Sequence, residues 1–90
     1  MFVVVSYDSP DNRRRLKVMK TLKNFGTHVQ FSVFECRLKP KELEDLRARL
    51  KKVVGRQDSV RFYFIGEDDV SRIEVMGNGA VTADSIFYMH

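Results

Sequence analysis

An apolar run near the start of the chain most constrains its fold. Residues 2–7 read Phe2-Val3-Val4-Val5-Ser6-Tyr7 and are nearly all β-branched or aromatic. A strand with one solvated face would alternate apolar and polar side chains, whereas an almost unbroken run is typical of a strand covered on both faces. We therefore predict a central strand, which the Asp8-Ser9-Pro10 sequence ends.

A helix is predicted after this break. Either Ser9 or Asp8 supplies the N-cap, Pro10 falls in the first turn, and Gly26 ends the helix. Apolar residues recur at every third position and predict a buried stripe made of Leu16, Met19, Leu22 and Phe25.

The rest of the chain continues the alternation of strands and helices. Residues 27–38 are extended by composition and predict two short strands with a break near Phe31 and Ser32. A second helix opens at Pro40 and ends at Gly55, with the buried stripe Leu43, Leu46, Leu50 and Val53 and an ion pair between Asp45 and Arg49. A strand at residues 59–65, a polar turn at 66–69 and a weaker strand at 70–76 follow. The order is βαββαβ with an extension, which predicts an α+β domain.

Ninety residues hold one core. We assign residues 1–78 to that domain and residues 79–90 to a C-terminal strand. Ser85-Ile86-Phe87-Tyr88-Met89 is so apolar that an exposed strand there would aggregate, so we expect it to pair with a sheet edge, that of a partner subunit included. A single cysteine, Cys36, and the absence of a secretory leader or a membrane span predict a cytoplasmic protein.

The charge of the chain points towards polyanions. Sixteen Lys and Arg against twelve Asp and Glu give a net charge of +4, and the bases concentrate in the first helix as Arg13, Arg14, Arg15, Lys17 and Lys20. One arginine guanidinium can donate two parallel hydrogen bonds to the oxygens of a phosphate. A run of basic residues without interleaved acids is also self-repelling unless an anion binds to it. Phosphate contact is the favoured interpretation, and a solvated helix face without function is the alternative.

Asp8 is the candidate for chemistry, because it stands where the central strand ends and a helix begins. Capping of that helix is the simpler interpretation, and catalysis is the alternative. A magnesium ion takes oxygen ligands and commonly one or two carboxylates, so two Asp8 side chains meeting across a dimer axis would serve better than one. Ser32 could donate its hydroxyl to phosphate if the strand break faces Asp8.

The aromatic residues allow a further interpretation. They could stack on nucleic-acid bases at the sheet surface, but the Gly-aromatic signature of RNA-recognition modules is absent. A role in the core is therefore favoured for most of these rings. These rings are Tyr7, Phe31, Phe34, Phe62, Tyr63 and Phe64. The acidic Glu67-Asp68-Asp69 stretch is interpreted as a turn.

Several motifs together resemble the CRISPR-associated Cas2 family. They are V-V-V-S-Y-D at residues 3–8, the Arg-rich first helix, V-Q-F-S-V-F-E-C at residues 29–36 and D-S-V-R-F-Y at residues 58–63. The similarity extends over essentially the whole chain.

The resemblance implies a ferredoxin-like βαββαβ homodimer whose C-terminal strand crosses to the partner's sheet. It implies a part in spacer acquisition with the Cas1 integrase, and a metal-dependent endonuclease acting on RNA or double-stranded DNA. By the same motifs, Asp8 is the catalytic magnesium residue, and Tyr7, one of Arg13 to Arg15, Ser32 and Phe34 lie near the site. A DNA-bridging scaffold without catalysis and a VapD-like toxin ribonuclease remain as alternatives.

Overall fold

Four strands form one antiparallel sheet in the order β2-β3-β1-β4. The computed structural model describes residues 1–79, and the predicted strand at Ser85–Met89 lies outside the described residues. The elements are β1 (Phe2–Asp8), α1 (Asn12–Lys23), β2 (Thr27–Gln30), β3 (Val33–Arg37), α2 (Pro40–Lys51), β4 (Ser59–Ile65) and α3 (Glu67–Val70). This is the ferredoxin-like βαββαβ arrangement, and it confirms the predicted fold class.

The first strand lies at the centre of the sheet, as its sequence predicts. It pairs with β3 from Phe2 opposite Arg37 to Ser6 opposite Val33, and with β4 from Phe2 opposite Ile65 to Asp8 opposite Ser59. Both edges of β1 are therefore paired, while β4 and β2 form the borders of the described sheet.

Both long helices cover the same face of the sheet. Side chains alternate along a strand, so Val3, Val5 and Tyr7 point to one side, where they pack against Val18 and Leu22 of α1. Helix α2 completes this core with the predicted stripe Leu43, Leu46 and Leu50, and Val53 packs at its margin. No helix within residues 1–79 is long and apolar enough to cross a membrane.

The opposite side of the sheet is called the open face here, because neither α1 nor α2 covers it. The strand registers place Val4, Ser6, Asp8, Val33, Glu35, Arg61 and Tyr63 on it. At the far end from Asp8, the Arg37 guanidinium lies 5.2 Å from the centre of the Phe2 ring and bonds Glu67 of α3 at 2.9 Å. Helix α3 is thereby attached to that end of the sheet.

The first helix differs from its prediction in start and orientation. Its N-cap is Asp11, whose carboxylate accepts a hydrogen bond from the Arg14 amide at 2.9 Å, so Pro10 precedes the helix. Val18 and Leu22 form the buried line, and Leu16 is 48% exposed. Residues two apart on a helix point about 200° apart, so burying Val18 turns Leu16 outward. The prediction that Leu16 is buried was wrong.

The predicted strand at residues 70–76 is also wrong. Val70 ends the short helix α3, and residues 73–76 have no regular structure. The Gly66 carbonyl accepts hydrogen bonds from the amides of Asp69 at 2.8 Å and Val70 at 3.1 Å. Three acids in the first turn also favour a helix, since a negative charge stabilises a helix N-terminus.

We expect two leucine substitutions to separate the buried from the exposed helix positions. Leu46→Ala removes a side chain that is 0% exposed and should lower the free energy of unfolding by about 2–5 kcal/mol. Leu16→Ala should change it by no more than about 0.5 kcal/mol. Urea unfolding measures both, and an equal loss in the two variants would mean that α1 turns Leu16 inward.

Candidate active site

Asp8 ends the central strand and its side chain is exposed. Strand alternation places it on the open face, and its backbone lies opposite Ser59 of β4. Because Asp11 caps α1, the interpretation of Asp8 as the helix cap is wrong. The pairing of the Asp8 backbone with β4 thus fixes where this carboxylate lies, and the carboxylate does not cap the helix.

The turn between β2 and β3 lies beside this strand end. The Tyr7 amide donates to the Ser32 carbonyl at 3.0 Å, which confirms the predicted break at Phe31 and Ser32 and places it at the Asp8 end of the sheet. The His28 ring stacks on Phe34 at 4.6 Å and its Nε2 lies 2.9 Å from the Phe31 carbonyl oxygen. The strand break thus faces the Asp8 end of the sheet, and a contact from the Ser32 hydroxyl to phosphate stays a prediction.

A second carboxylate, which the sequence analysis did not single out, organises the same region. The Asp58 side chain is only 1% exposed. It accepts hydrogen bonds from Arg14 Nε at 2.8 Å, Arg14 Nη2 at 3.2 Å, Ser9 Oγ at 2.7 Å and the Gly55 amide at 2.6 Å. We call these four residues the Asp58 cluster. The Arg14 bonds, followed by those from Ser9 and Gly55, lower the pKa of Asp58 to about 2.

Ser9 joins the cluster directly to Asp8. It is 3% exposed, and its hydroxyl oxygen also accepts a hydrogen bond from the Asp11 amide at 3.1 Å. The Arg15 guanidinium donates to the Ser9 carbonyl at 3.0 Å. The residue that follows Asp8 is therefore held through both its side chain and its backbone.

The three consecutive arginines, Arg13 to Arg15, have different contacts. Arg14 turns inward to Asp58 and also lies 3.4 Å from the Asp11 carboxylate, whereas Arg15 bonds Ser9 and the Asn12 side chain. Arg13, Lys17 and Lys20 are exposed and form no ion pair with another of residues 1–79. The surface of α1 is thus basic without compensating acids.

Two of the predicted site residues lie in the core. Phe34 is fully buried, and Tyr7 is nearly so, with the two ring centres 6.2 Å apart. Burial raises the pKa of Tyr7, against the opposing charge of Arg15. In this structure these rings support the strand end from the helix side of the sheet.

The donor set at Asp8 fits a magnesium ion that keeps most of its water. At this end of β1 Asp8 offers an exposed carboxylate, whereas Asp58 is already occupied by its four hydrogen bonds. Among residues 1–79, no three His, Cys, Asp or Glu side chains come together. Magnesium often binds through one or two carboxylates together with water and substrate phosphate, so a second copy of Asp8 would complete such a set.

The low pKa of Asp58 predicts a dependence of stability on pH. An aspartate has a pKa of about 3.9 when unfolded, so the ionised Asp58 stabilises the fold above that pH, and the contribution is lost as pH falls towards 2. Asp58→Asn should lower the urea midpoint at pH 7, and its difference from wild type should shrink between pH 5 and pH 3. The exposed Asp45→Asn variant is the control. A difference independent of pH would contradict the assigned pKa.

Comparison with known proteins places the chain in a family. A family profile described as CRISPR associated protein Cas2 matches residues 1–73. The CRISPR-associated endoribonuclease Cas2 3 of Chloroflexus aurantiacus is 43% identical over 90 residues, which are 99% of this chain and 97% of that protein. The CRISPR-associated endonuclease Cas2 2 of Thermus thermophilus is 43% identical over 76 residues, covering 83% and 80% of the two chains. The crystal structure of Streptococcus pyogenes Cas2 superposes with a TM-score of 0.73 at 40% identity, covering 86% of this chain and 100% of that one. With its fold, its motifs and these relatives in agreement, the chain belongs to the CRISPR-associated Cas2 family.

Proposed function

We propose that this protein is a magnesium-dependent endonuclease of CRISPR antiviral defence, active as a homodimer on RNA or double-stranded DNA. The observation that carries the proposal is the exposed Asp8 carboxylate at the end of the central strand, next to a helix whose outer surface is basic. The names of the relatives, endoribonuclease and endonuclease, agree with such chemistry.

Nucleic acid binds along α1. Arg13, Lys17 and Lys20 are exposed and contact successive phosphates, with Arg15 and the Ser32 hydroxyl nearer to Asp8. Helix α2 is less suited, because acids such as Asp45, which bonds Arg49 at 3.2 Å, offset its bases. Contacts to phosphate alone read no sequence, so we expect binding with little base preference.

Two copies associate through their open faces. Val4, Val33 and the 46% exposed Tyr63 give this face an apolar centre that neither α1 nor α2 covers. Burying it against a second copy removes that area from water and brings the two Asp8 side chains to one end of the interface. The basic surfaces of the two α1 helices then belong to one particle.

Asp8 holds the metal and Arg13 orients the phosphate. A bound magnesium ion would supply a more acidic water and neutralise charge on the phosphate oxygens. Hydrolysis forms a bond from phosphorus to the water oxygen and breaks the bond to the leaving oxygen, which departs with a proton. The chain's own contribution is position and charge. Cys36 is unsuited as a nucleophile, because burial raises its pKa to about 11 and so disfavours the thiolate.

In the cell, the dimer acts in the cytoplasm in the acquisition of spacers, together with the Cas1 integrase. Bridging DNA for that integrase uses the same basic surfaces and needs no cleavage, so the scaffold alternative differs only in the role of Asp8. The family assignment favours these two alternatives over the toxin ribonuclease.

Substitution of Asp8 separates a nuclease from a scaffold. Asp8→Asn should abolish magnesium-dependent cleavage of RNA or duplex DNA, because the amide loses the charge that holds the metal, and should leave affinity within about threefold. Asp68→Asn, which removes an exposed carboxylate on α3, is the matched control. Gel assays with magnesium and with chelator measure cleavage. Cleavage by Asp8→Asn at the wild-type rate would remove Asp8 from the mechanism.

A charge on the open face tests the dimer. Tyr63→Glu should raise the dimer dissociation constant at least about tenfold, because moving a carboxylate from water into an interface is unfavourable, even beside Arg61. Ala48→Glu adds the same charge on the exposed side of α2 and should leave association unchanged. Sedimentation velocity over a dilution series measures both. A monomeric wild type, or equal effects of the two variants, would contradict the proposed interface.

A further inference from the structure

The Asp58 cluster is connected to Asp8 from two sides. Asp58 immediately precedes Ser59, which is the strand partner of Asp8, and its carboxylate bonds the hydroxyl of Ser9, which immediately follows Asp8. Ser59, the first residue of β4, therefore pairs with Asp8, and Asp58, just before it, holds Ser9. On the other side of β1, the Tyr7 amide is bonded to Ser32. The backbone around Asp8 is restrained on both edges.

The other residues of the Asp58 cluster supply hydrogen bonds to a carboxylate that is almost completely removed from water. A buried charge without partners is strongly unfavourable, whereas Asp58 receives four hydrogen bonds, two of them from a guanidinium. These bonds join the loop after β1, the first turn of α1 and the loop before β4. An arrangement of this kind fixes the relative position of all three segments.

We propose that Asp58 is a positioning residue for the reaction at Asp8: by holding Ser9 and Arg14, it sets the direction in which the Asp8 side chain leaves the end of β1. The inference rests on the proposed nuclease function. Asp58 is not itself expected to touch substrate, because its side chain is 1% exposed. Partners that orient groups of a metal site typically change activity about 10–100-fold when removed.

Asp58 also controls a charge next to the site. Arg14 belongs to the Arg13-Arg14-Arg15 run, yet its guanidinium is used by Asp58 and Asp11. Replacing Asp58 with asparagine keeps the shape but leaves the positive charge of Arg14 without its buried partner. A polyanion should then bind as well as before or more tightly, while cleavage slows. General damage to the fold would weaken both.

The test compares Asp58→Asn with Asp45→Asn. Both variants remove one negative charge and one acidic partner of an arginine, but the pair of Asp45 and Arg49 is exposed on α2, and Arg14 keeps Asp11. We expect Asp58→Asn to reduce the single-turnover cleavage rate with magnesium about 10–100-fold, with an unchanged or lower Kd for the same RNA and duplex DNA. A steeper loss of affinity with salt should accompany it, because one more phosphate is neutralised. Asp45→Asn should keep the wild-type cleavage rate.

Backbone order provides a readout that does not need cleavage. NMR order parameters of the Asp8 and Ser9 amides should be about 0.85 in wild type and Asp45→Asn, and should fall in Asp58→Asn. Ser9→Ala removes one bond of the cluster while leaving Asp58 paired with Arg14, so it serves if Asp58→Asn folds poorly. It should show a smaller fall of the same two order parameters.

Three outcomes would overturn the inference. They are wild-type cleavage by both Asp58→Asn and Ser9→Ala, unchanged order at Asp8 and Ser9, or a loss of affinity and rate in proportion to the unfolded fraction. If wild-type protein fails to cleave, the proposed function falls instead, and the order parameters still decide whether Asp58 positions Asp8.

Discussion

The pairing of β1 on both of its edges is the constraint on which the rest of the structure depends. Strands β3 and β4 bond it from either side, and α1 and α2 cover the face that carries Val3, Val5 and Tyr7. An interior strand with one face packed has little freedom, so a side chain at its end is held on a rigid support. Asp8 has that position, and the open face leaves it accessible.

Two carboxylates at this end of the molecule have opposite environments and opposite uses. Asp8 is exposed, whereas Asp58 is buried among four hydrogen bonds that lower its pKa to about 2. An exposed carboxylate can exchange water for a metal or a substrate, while a fully bonded one can only orient its neighbours. The same division applies to the arginines, because Arg14 completes the buried cluster and Arg13 faces the solvent. Relatives in the family are named as nucleases. In this short chain, the buried Asp58 carboxylate and its partner Arg14 stabilise the end of β1, and the exposed residues Asp8 and Arg13 are left accessible to solvent.

Local patterns predicted most of the fold. The strand at Ser59–Ile65 and the break at Phe31 and Ser32 were confirmed because strand periodicity and a polar interruption are properties of adjacent residues. The orientation of α1 was not predicted, since Leu16 and Val18 are both apolar and only the position of the sheet decides which of them is buried. The strand predicted at residues 70–76 failed for a different, local reason, because the amides of Asp69 and Val70 bond the Gly66 carbonyl and form a helical turn there.

What the sequence determined by itself is the order of the elements from β1 to β4, the central place of β1 and the position of Asp8 at its end. Its motifs also identified the family, which the comparisons confirmed. The tertiary structure alone decided that Asp11 rather than Asp8 caps the helix, and that Asp58 bonds partners 44 and 49 residues away in the chain. A pattern of neighbouring residues reports local conformation, whereas a buried charge is satisfied by whichever donors the fold brings to it. The identity of those donors exists only once the sheet and helices have packed.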